Sequence, residues 1–433
     1  MKIPFNSIIK SKKKDEQEIL FIDKHWIEIS RREGVASYDG IANRRTVLHI
    51  GITILNSIII NSDVIEFTRN NKKEIIKITD ICNYGGSTIY FAGCQFNGIT
   101  KITGELKYNY IFNHCNFDEI SFKDVIASNE ITQNKYDIKF IGGTFRNKFN
   151  INKCEFTGKF YINEQKSNKS KVKINYLEIQ ENTFNENFKL HNTDINLFKL
   201  SDVDFNKNAD FYKSKVNQGD KKDIIIEGTN FKKITIFEEC EFLNKLTFQY
   251  ITFEDLVQFR GATFHNGLDL DRTNTEKAMN FYNIKELESE QSKILTSQET
   301  YRIIKYNLEK IGNIIDANKY HALELEKQKD NLKFMEKPLE TIVFNINWMT
   351  SKFATNWLYP IIWIIIIGNI TSTIVNYNCL KTPLELLYDG FKYMSILKFN
   401  HFENHPIIFL FNKVSLGYLY YQFITAVRKD TRK

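Results

Sequence analysis

Residues 240–264 read CEFLNKLTFQYITFEDLVQFRGATF, and phenylalanine falls at 242, 248, 253, 259 and 264. The successive steps are 6, 5, 6 and 5 residues. Neither the 3.6-residue period of a helix nor the two-residue alternation of a strand produces that spacing. A fixed longer period marks a solenoid, in which each 5- or 6-residue unit supplies one short extended edge and one turn. The Phe then points to the axis, together with the small residue two places before it. The intervening Glu, Gln, Asn, Lys and Thr face solvent. Four edges close a square coil of about 20–22 residues, and coils stack at the roughly 4.8 Å spacing of paired strands. Six or seven such coils make a rod on the order of 30 Å long.

The same pattern spreads outward from this stretch. Of the 35 phenylalanines, 21 lie within residues 94–264. A thin residue precedes a Phe by two at Cys94–Phe96, Cys115–Phe117, Gly143–Phe145, Cys154–Phe156, Val203–Phe205, Thr229–Phe231, Cys240–Phe242 and Ala262–Phe264. Phe184, Phe248, Phe253 and Phe259 continue the spacing. All of these are expected to form the structural core of the repeats. Wider gaps of 26 and 28 residues contain charged, Asn-rich stretches, 164–173 and 214–223, which read as loops inserted between coils.

The unit small-x-Phe-x-x, as in CEF, ATF, CNF and GTF, resembles the pentapeptide-repeat proteins. The 11-residue double unit with Phe at both centres resembles a bacterial membrane-anchored subgroup of them. The resemblance implies a mainly β fold, a right-handed quadrilateral β-helix, over residues 93–272. Residues 1–92 contain β-rich runs such as TVLHIGITIL and SIIINSDVIEF and are expected to be an N-terminal cap or irregular first coils.

After the repeats the period changes. In SQETYRIIKYNLEKIGN the apolar positions Tyr301, Ile304, Leu308 and Ile311 follow helical spacing, Ser297 is placed as an N-cap, and Gly312-Asn313 ends the helix. A second helix from Ile314 completes a helical hairpin over 285–335. It is expected to cap the open solenoid end, whose unpaired edge otherwise invites strand addition. TYRIIKYNLEKIGNIIDANKYHALELE also resembles the helical pair of the membrane-anchored subgroup.

Residues 353–433 read as a membrane domain. From Phe353 to Leu380 there is no charged residue, and the core WLYPIIWIIIIGNITSTIV is long enough to span a bilayer. Trp357, Tyr359 and Trp363 cluster at one end, as an interfacial belt does. A second expected span, 406–427, carries one charge, Lys413, which either snorkels or faces a partner helix or a water-filled cavity. Between them, Thr382-Pro383 opens a helix expected to lie in the interface or to re-enter the bilayer. No TVGYG-like filter is present, so a potassium-selective pore is not supported.

Charge and chemistry narrow the function. The net charge of +7 resides in the tails: five Lys lie in residues 2–14, and RKDTRK ends the chain. The body is close to neutral, so a nucleic-acid partner is not expected. The absence of a signal peptide and the basic C-terminus predict a bacterial inner-membrane protein with its N-terminal domain and C-terminus in the cytoplasm. Six cysteines without CxxC spacing are expected to be reduced thiols. No P-loop, GxSxG elbow or dinucleotide loop occurs. His401 and His405 flank Glu403 in an order unlike that of a metalloprotease, and Asp269 and Asp271 read as an outward-facing pair. No catalytic residue, metal or cofactor is expected. The leading expectation is a non-enzymatic membrane-tethered scaffold that binds a protein partner. The alternatives are an oligomeric membrane effector or pore of a stress or antiphage response, with Lys413 functional, and gyrase protection by DNA mimicry. Mimicry requires an acidic surface that this composition does not supply. The bilayer, a protein partner and further copies of the chain are the expected partners.

Overall fold

The interval of 22 residues from Phe242 to Phe264 is one turn of a coil: Glu241–Phe242 pairs in parallel with Thr263–Phe264, residue on residue. The two rings stack with centroids 5.5 Å apart. Between them, Phe248 pairs with Ile226, Phe253 with Phe231, and Phe259 stacks on Phe237. Five consecutive phenylalanines thus visit four walls and return to the first. The computed structural model describes residues 17–22, 25–32, 45–50, 54–55, 57–61, 64–69, 72–77, 88–126, 135–163, 171–217, 219, 223–375, 383–397 and 405–431. It divides into two compact units, Met1–Thr296 and Ser297–Lys433.

The first unit is mainly β, built of parallel strands stacked coil on coil. One wall carries Phe91, Phe112 and Phe140, then Ile162 and Leu190. It resumes with Phe211, Phe237, Phe259 and Phe281, whose rings stack at 4.9, 5.2 and 5.4 Å. The next wall carries Phe96, Phe117 and Phe145, then Ile174 and Ile195. The third is largely aliphatic, with Ile151, Ile179, Leu200 and Ile226 before Phe248. The fourth stacks Phe156, Phe184, Phe205, Phe231 and Phe253 at 5.0–5.1 Å. That distance follows from the strand spacing, so ring stacking and ladder hydrogen bonding agree in period.

The unequal steps have a local cause. Glu239, Tyr250 and Gly261 all have left-handed backbone, and each lies inside a 5-residue Phe step. The 6-residue steps turn their corners without a left-handed residue. One column of left-handed residues runs Gly93, His114, Gly142, Asn192, Lys213, Glu239, Gly261 and Asn283, and a second runs Gly104, Asp124, Lys153, Glu181, Asp202, Gly228 and Tyr250. Non-glycine residues there cost about 1 kcal/mol each, offset by the ladder and core that the corner closes. The thin residue follows the left-handed one. At the first corner Cys115 Sγ donates to Phe91 O (3.5 Å), Ser214 Oγ to Leu190 O (2.7 Å) and Cys240 Sγ to Phe211 O (2.9 Å).

Coil length grows to 28 residues between Phe112 and Phe140 and between Phe160 and Phe188, and to 26 between Ala209 and Thr235. The surplus lies between Ile126 and Lys135, between Asn163 and Lys171, and near residues 217–222. Two of these fall inside the expected loops 164–173 and 214–223. Val172–Phe184 and Lys215–Val216 are strands, so the expected loops do not extend over them; residues 164–170, 218 and 220–222 lie outside the described residues.

The coil boundaries also differ from 93–272. Arg45–Ile50 pairs in parallel with Thr88–Ala92, and Ser57–Asn61 with the Gln95–Glu105 strand. Stacking therefore begins near residue 45, ahead of any Phe signal, because Ile58 and Ile60 fill the core there. Antiparallel hairpins flank this start: 17–22 pairs with 25–32, 57–61 with 64–69, and 64–69 in turn with 72–77. At the far end Met279–Asn280 still pairs with Val257–Gln258. One wall alone holds ten parallel strands among the described residues, a stack of roughly 45 Å at the strand spacing. Helix α1 (Glu290–Leu295) sits over the last coil: Ser292 Oγ bonds to Phe264 O and His265 O at 2.9 Å, and Thr296 Oγ1 accepts from Leu268 N at 3.2 Å. The unit boundary at Thr296 falls inside the expected 285–335 segment: α1 belongs to the first unit, while both helices of the expected hairpin lie in the second.

The second unit contains α2 (Gln298–Lys310), α3 (Ile314–Asn331), α4 (Pro338–Ser351), α5 (Leu358–Val375), α6 (Pro383–Tyr393) and α7 (Pro406–Thr431). Ser297 caps α2 by accepting from Thr300 N, and Asn313 caps α3 by accepting from Asp316 N. Glu324 ties the pair together, accepting from Arg302 Nε at 2.9 Å and Lys305 Nζ at 2.8 Å. Burial pushes this carboxyl up, but the hydrogen bonds from Lys305, Arg302 and His321 prevail and hold it below its ordinary value. Its stabilisation is complete above roughly pH 5 and is lost as pH falls through the lowered folded value. Glu324→Gln is expected to lower stability by about 2 kcal/mol at pH 7. The difference from wild type should shrink on acidification, read by thermal unfolding across that range.

Among the described residues, α5 alone is long and apolar enough to cross a membrane. Segment 406–427, expected as a second span, is helical but falls short in apolarity. Asn412, Lys413, Ser415 and Gln422 interrupt it.

Candidate functional site

The polar residues that disqualify α7 are gathered on one side of it. Asn412 is buried and donates from Nδ2 to Thr371 Oγ1 on α5 (2.9 Å) and to Tyr393 O at the end of α6 (3.3 Å). Lys413, half-buried, donates to Ser395 O (2.6 Å). Tyr420 donates to Met394 O (3.2 Å), and Ser351 Oγ lies 2.9 Å from Gln422 Oε1. Ile364, Met394, Leu416 and Leu419 form the small apolar core beside this seam. Helices α5 and α6 approach closely because both carry glycine at the crossing: a Cβ on Gly368 would lie 2.6 Å from Met394 Cγ.

The outward faces are the opposite. On α5, Gly368, Thr371 and Ser372 are buried while Ile362, Ile366, Ile370 and Ile374 are exposed. On α7, Asn412 and Gln422 are buried while Leu410, Phe411, Val414 and Ile424 are exposed. A helix packed in water buries its apolar side. These helices instead bury a mixed side, Ile364, Leu416 and Leu419 beside Thr371, Asn412 and Gln422, and expose an almost wholly apolar one, which suits an apolar solvent.

The first unit has a different surface. Its outward carboxylates are matched one coil away: Lys199–Glu178, Lys215–Glu241, Lys245–Asp269 and Lys277–Asp255 lie at 2.7–3.2 Å. Burial raises the Glu178 carboxyl, but the hydrogen bonds from Lys148 and Lys199 prevail and hold it low. Exposed pairs of this kind contribute about 0–1 kcal/mol each. Their larger effect is to break up any continuous field of one sign. One corner is concave, a groove of about 490 Å³ lined by Asp210, Tyr212, Glu238, Glu239, Arg260, Tyr282 and Lys285. The lining arises because Tyr212, Glu238, Arg260 and Tyr282 occupy the same position on successive coils, just before each left-handed residue. Arg260 lies over the Tyr282 ring at 5.6 Å, and Tyr212 Oη is 3.4 Å from Glu239 Oε1. Beneath it the buried His191 places Nε2 2.8 Å from Asp210 Oδ2.

Cys94, Phe96, Cys115, Phe117, Phe145, Cys154, Phe156, Phe184, Phe205, Phe231, Cys240, Phe242, Phe248, Phe253, Phe259 and Phe264 are no more than 3 % exposed. Burial pushes the Cys154 thiol up to about 12 and raises that of Cys240. The hydrogen bond with Cys94, then burial, raises that of Cys115. Thiols held neutral in this way are poor nucleophiles and poor metal ligands. Asp269 and Asp271 face outward at half-exposed or exposed positions. Among the described residues no cluster of three His, Cys, Asp or Glu is placed to hold a metal ion. Cys82, Cys379, His401 and Glu403 lie outside the described residues. Sequence reasoning passed over Asn412, Thr371 and the groove. The groove had a legible signal, since Tyr212, Glu238, Arg260 and Tyr282 are 26, 22 and 22 residues apart. Asn412 had none beyond its position next to Lys413.

Neither the curated proteins nor the solved structures contain a match to the chain. The family model described as Pentapeptide repeats (9 copies) matches residues 226–274. The stretch with the 6-5-6-5 spacing lies inside that match, and the chain therefore carries pentapeptide repeats there.

Proposed function

We propose that this protein is a non-enzymatic scaffold, a right-handed quadrilateral β-helix tethered to the bacterial inner membrane by its second unit. The observation that carries the reading is the apolar exposed face of α5 and α7, with their polar side chains turned inward to the seam. It favours lipid around both, with α7 crossing beside α5 and its polar residues satisfied at the seam. The basic end after α7 supports a cytoplasmic C-terminus, and with two spans the N-terminal unit lies on the same side. The polar solenoid then faces the cytoplasm and binds a protein partner. The groove between Tyr212 and Tyr282 suits a segment with basic side chains, offering aromatic faces and the carboxylates of Glu238 and Glu239. The interleaved charge pairs speak against DNA mimicry.

Tyr212→Ala combined with Tyr282→Ala tests the scaffold reading. Cross-linked partners recovered with the wild-type chain in membranes should fall at least tenfold with this variant. An unchanged set of partners would sink the groove as their site.

A second reading is a membrane effector that opens a conducting path as a homo-oligomer. The buried seam of Asn412, Lys413 and Thr371 favours it, because polar groups at that depth mark ion or proton paths. Overexpression of the wild type should then collapse the membrane potential, and Lys413→Leu should blunt the effect. Equal, undisturbed potentials in both would exclude it.

A further inference from the structure

We infer that α4 is a lipid-facing interfacial helix, its Leu339, Ile342, Val343, Ile346 and Met349 stripe seated in the bilayer beside α5. The inference rests on the membrane reading of the second unit and adds a third membrane contact, made by a helix too short to span.

Three observations carry it. The first is polarity. The five stripe residues recur at 3–4 spacing, and all are exposed, Leu339 by 77 % and Val343 by 62 %. The fully buried residues of α4 are polar, Ser351 against Gln422 and Thr350 against Tyr418 at 3.4 Å, and its one inward aromatic, Phe344, meets Phe353. An amphipathic helix turned this way in water would expose its apolar stripe for no gain; against acyl chains the same stripe is the correct outer face. The second is placement. Lys352, Phe353 and Ala354 have consecutive left-handed backbone, and the chain doubles back so that Trp363 Nε1 donates to Met349 O at 3.1 Å. Met349 is thereby fixed against the aromatic end of α5, where Trp357, Tyr359 and Trp363 mark the bilayer boundary. The third is charge. Residues 338–351 contain a single ionisable group, Glu340, which Lys337 pairs at 3.2 Å. The contact is therefore driven by apolar burial and does not depend on anionic headgroups.

The test uses the full chain in native membranes, with p-benzoylphenylalanine placed singly at Ile342, Ile346, Asn345 or Ile366. Irradiation followed by mass analysis identifies what each position touches. The inference predicts phospholipid adducts at 342 and 346, at yields within threefold of Ile366 on α5 and at least tenfold above Asn345. The yields should not change when the vesicles are remade from phosphatidylcholine alone. Lipid at 366 but none at 342 and 346, or an adduct of twice the chain mass at those positions, overturns the inference and leaves the α5 span standing. Absence of lipid adducts at 366 as well overturns the membrane reading itself.

Discussion

Gly143→Ala is expected to destabilise the solenoid by about 4 kcal/mol. Gly143 has φ +97°, a conformation that an alanine adopts only under strain. Its environment is harsher still. A Cβ built there overlaps the carbonyl oxygen of Cys115 in the preceding coil, a backbone atom that cannot swing aside. Thr144 and Phe145 are paired directly with Asn116 and Phe117, so relief requires opening the ladder at that coil. Gly261→Ala is the control. It sits at an equivalent corner with φ +69°, yet its Cβ meets only Glu239 Cγ, at 3.4 Å. Its cost should be about 1 kcal/mol, the backbone term alone. Urea midpoints of the two variants should therefore differ severalfold in shift. Equal shifts would mean that the close approach at Gly143 is not there.

Phe205→Ala should cost about 3–5 kcal/mol. Its ring lies between Phe184 at 5.1 Å and Phe231 at 5.0 Å and meets the Phe188 edge at 5.2 Å. Truncation deletes these three ring contacts and a fourth with the Phe211 edge at 6.3 Å, and leaves a cavity that the flanking coils cannot fill without breaking register. Phe205→Leu keeps most of the volume and should cost about 1.5 kcal/mol. In a solenoid each coil touches only its neighbours, so the damage should remain local. Amide exchange should quicken in the coils around 184, 205 and 231 and stay near wild type at Phe96 and Phe264. Uniform acceleration along the stack would contradict the coil-by-coil architecture.

The legible part of this fold is the part where one residue type does one job. Phe at 5- and 6-residue steps reveals coils because only a fixed corner geometry imposes that spacing, and the matched segment 226–274 is where the steps are most regular. Where aliphatics substitute, as Ile58 and Ile60 do in the first coil or Leu177 and Leu200 on the third wall, the core is equally buried but the period is invisible. Phe112, Phe140 and Phe237, on the wall that Phe259 continues, are hard to read for a different reason. Each precedes a counted Phe by five residues, so the signal existed, but a thin residue marks only one side of the corner.

The second unit inverts the difficulty. Average apolarity finds α5 and rejects α7, because averaging cannot tell a polar residue on the outside from one bonded to a neighbouring helix. Asn412 to Thr371 and Lys413 to Ser395 are pairings across helices, and no local pattern announces them. Likewise Gly368 and Gly390 read as ordinary helix-weakening residues until the crossing of α5 and α6 gives them a purpose.

The claim on which the proposed function turns is that the second unit is embedded in lipid. Flotation of the full chain with its membranes after an alkaline carbonate wash measures it directly. The account predicts that the protein rises with the lipid, because Ile362, Ile366, Ile370 and Ile374 are held by acyl chains that high pH does not displace. Recovery of folded protein in the wash would contradict it.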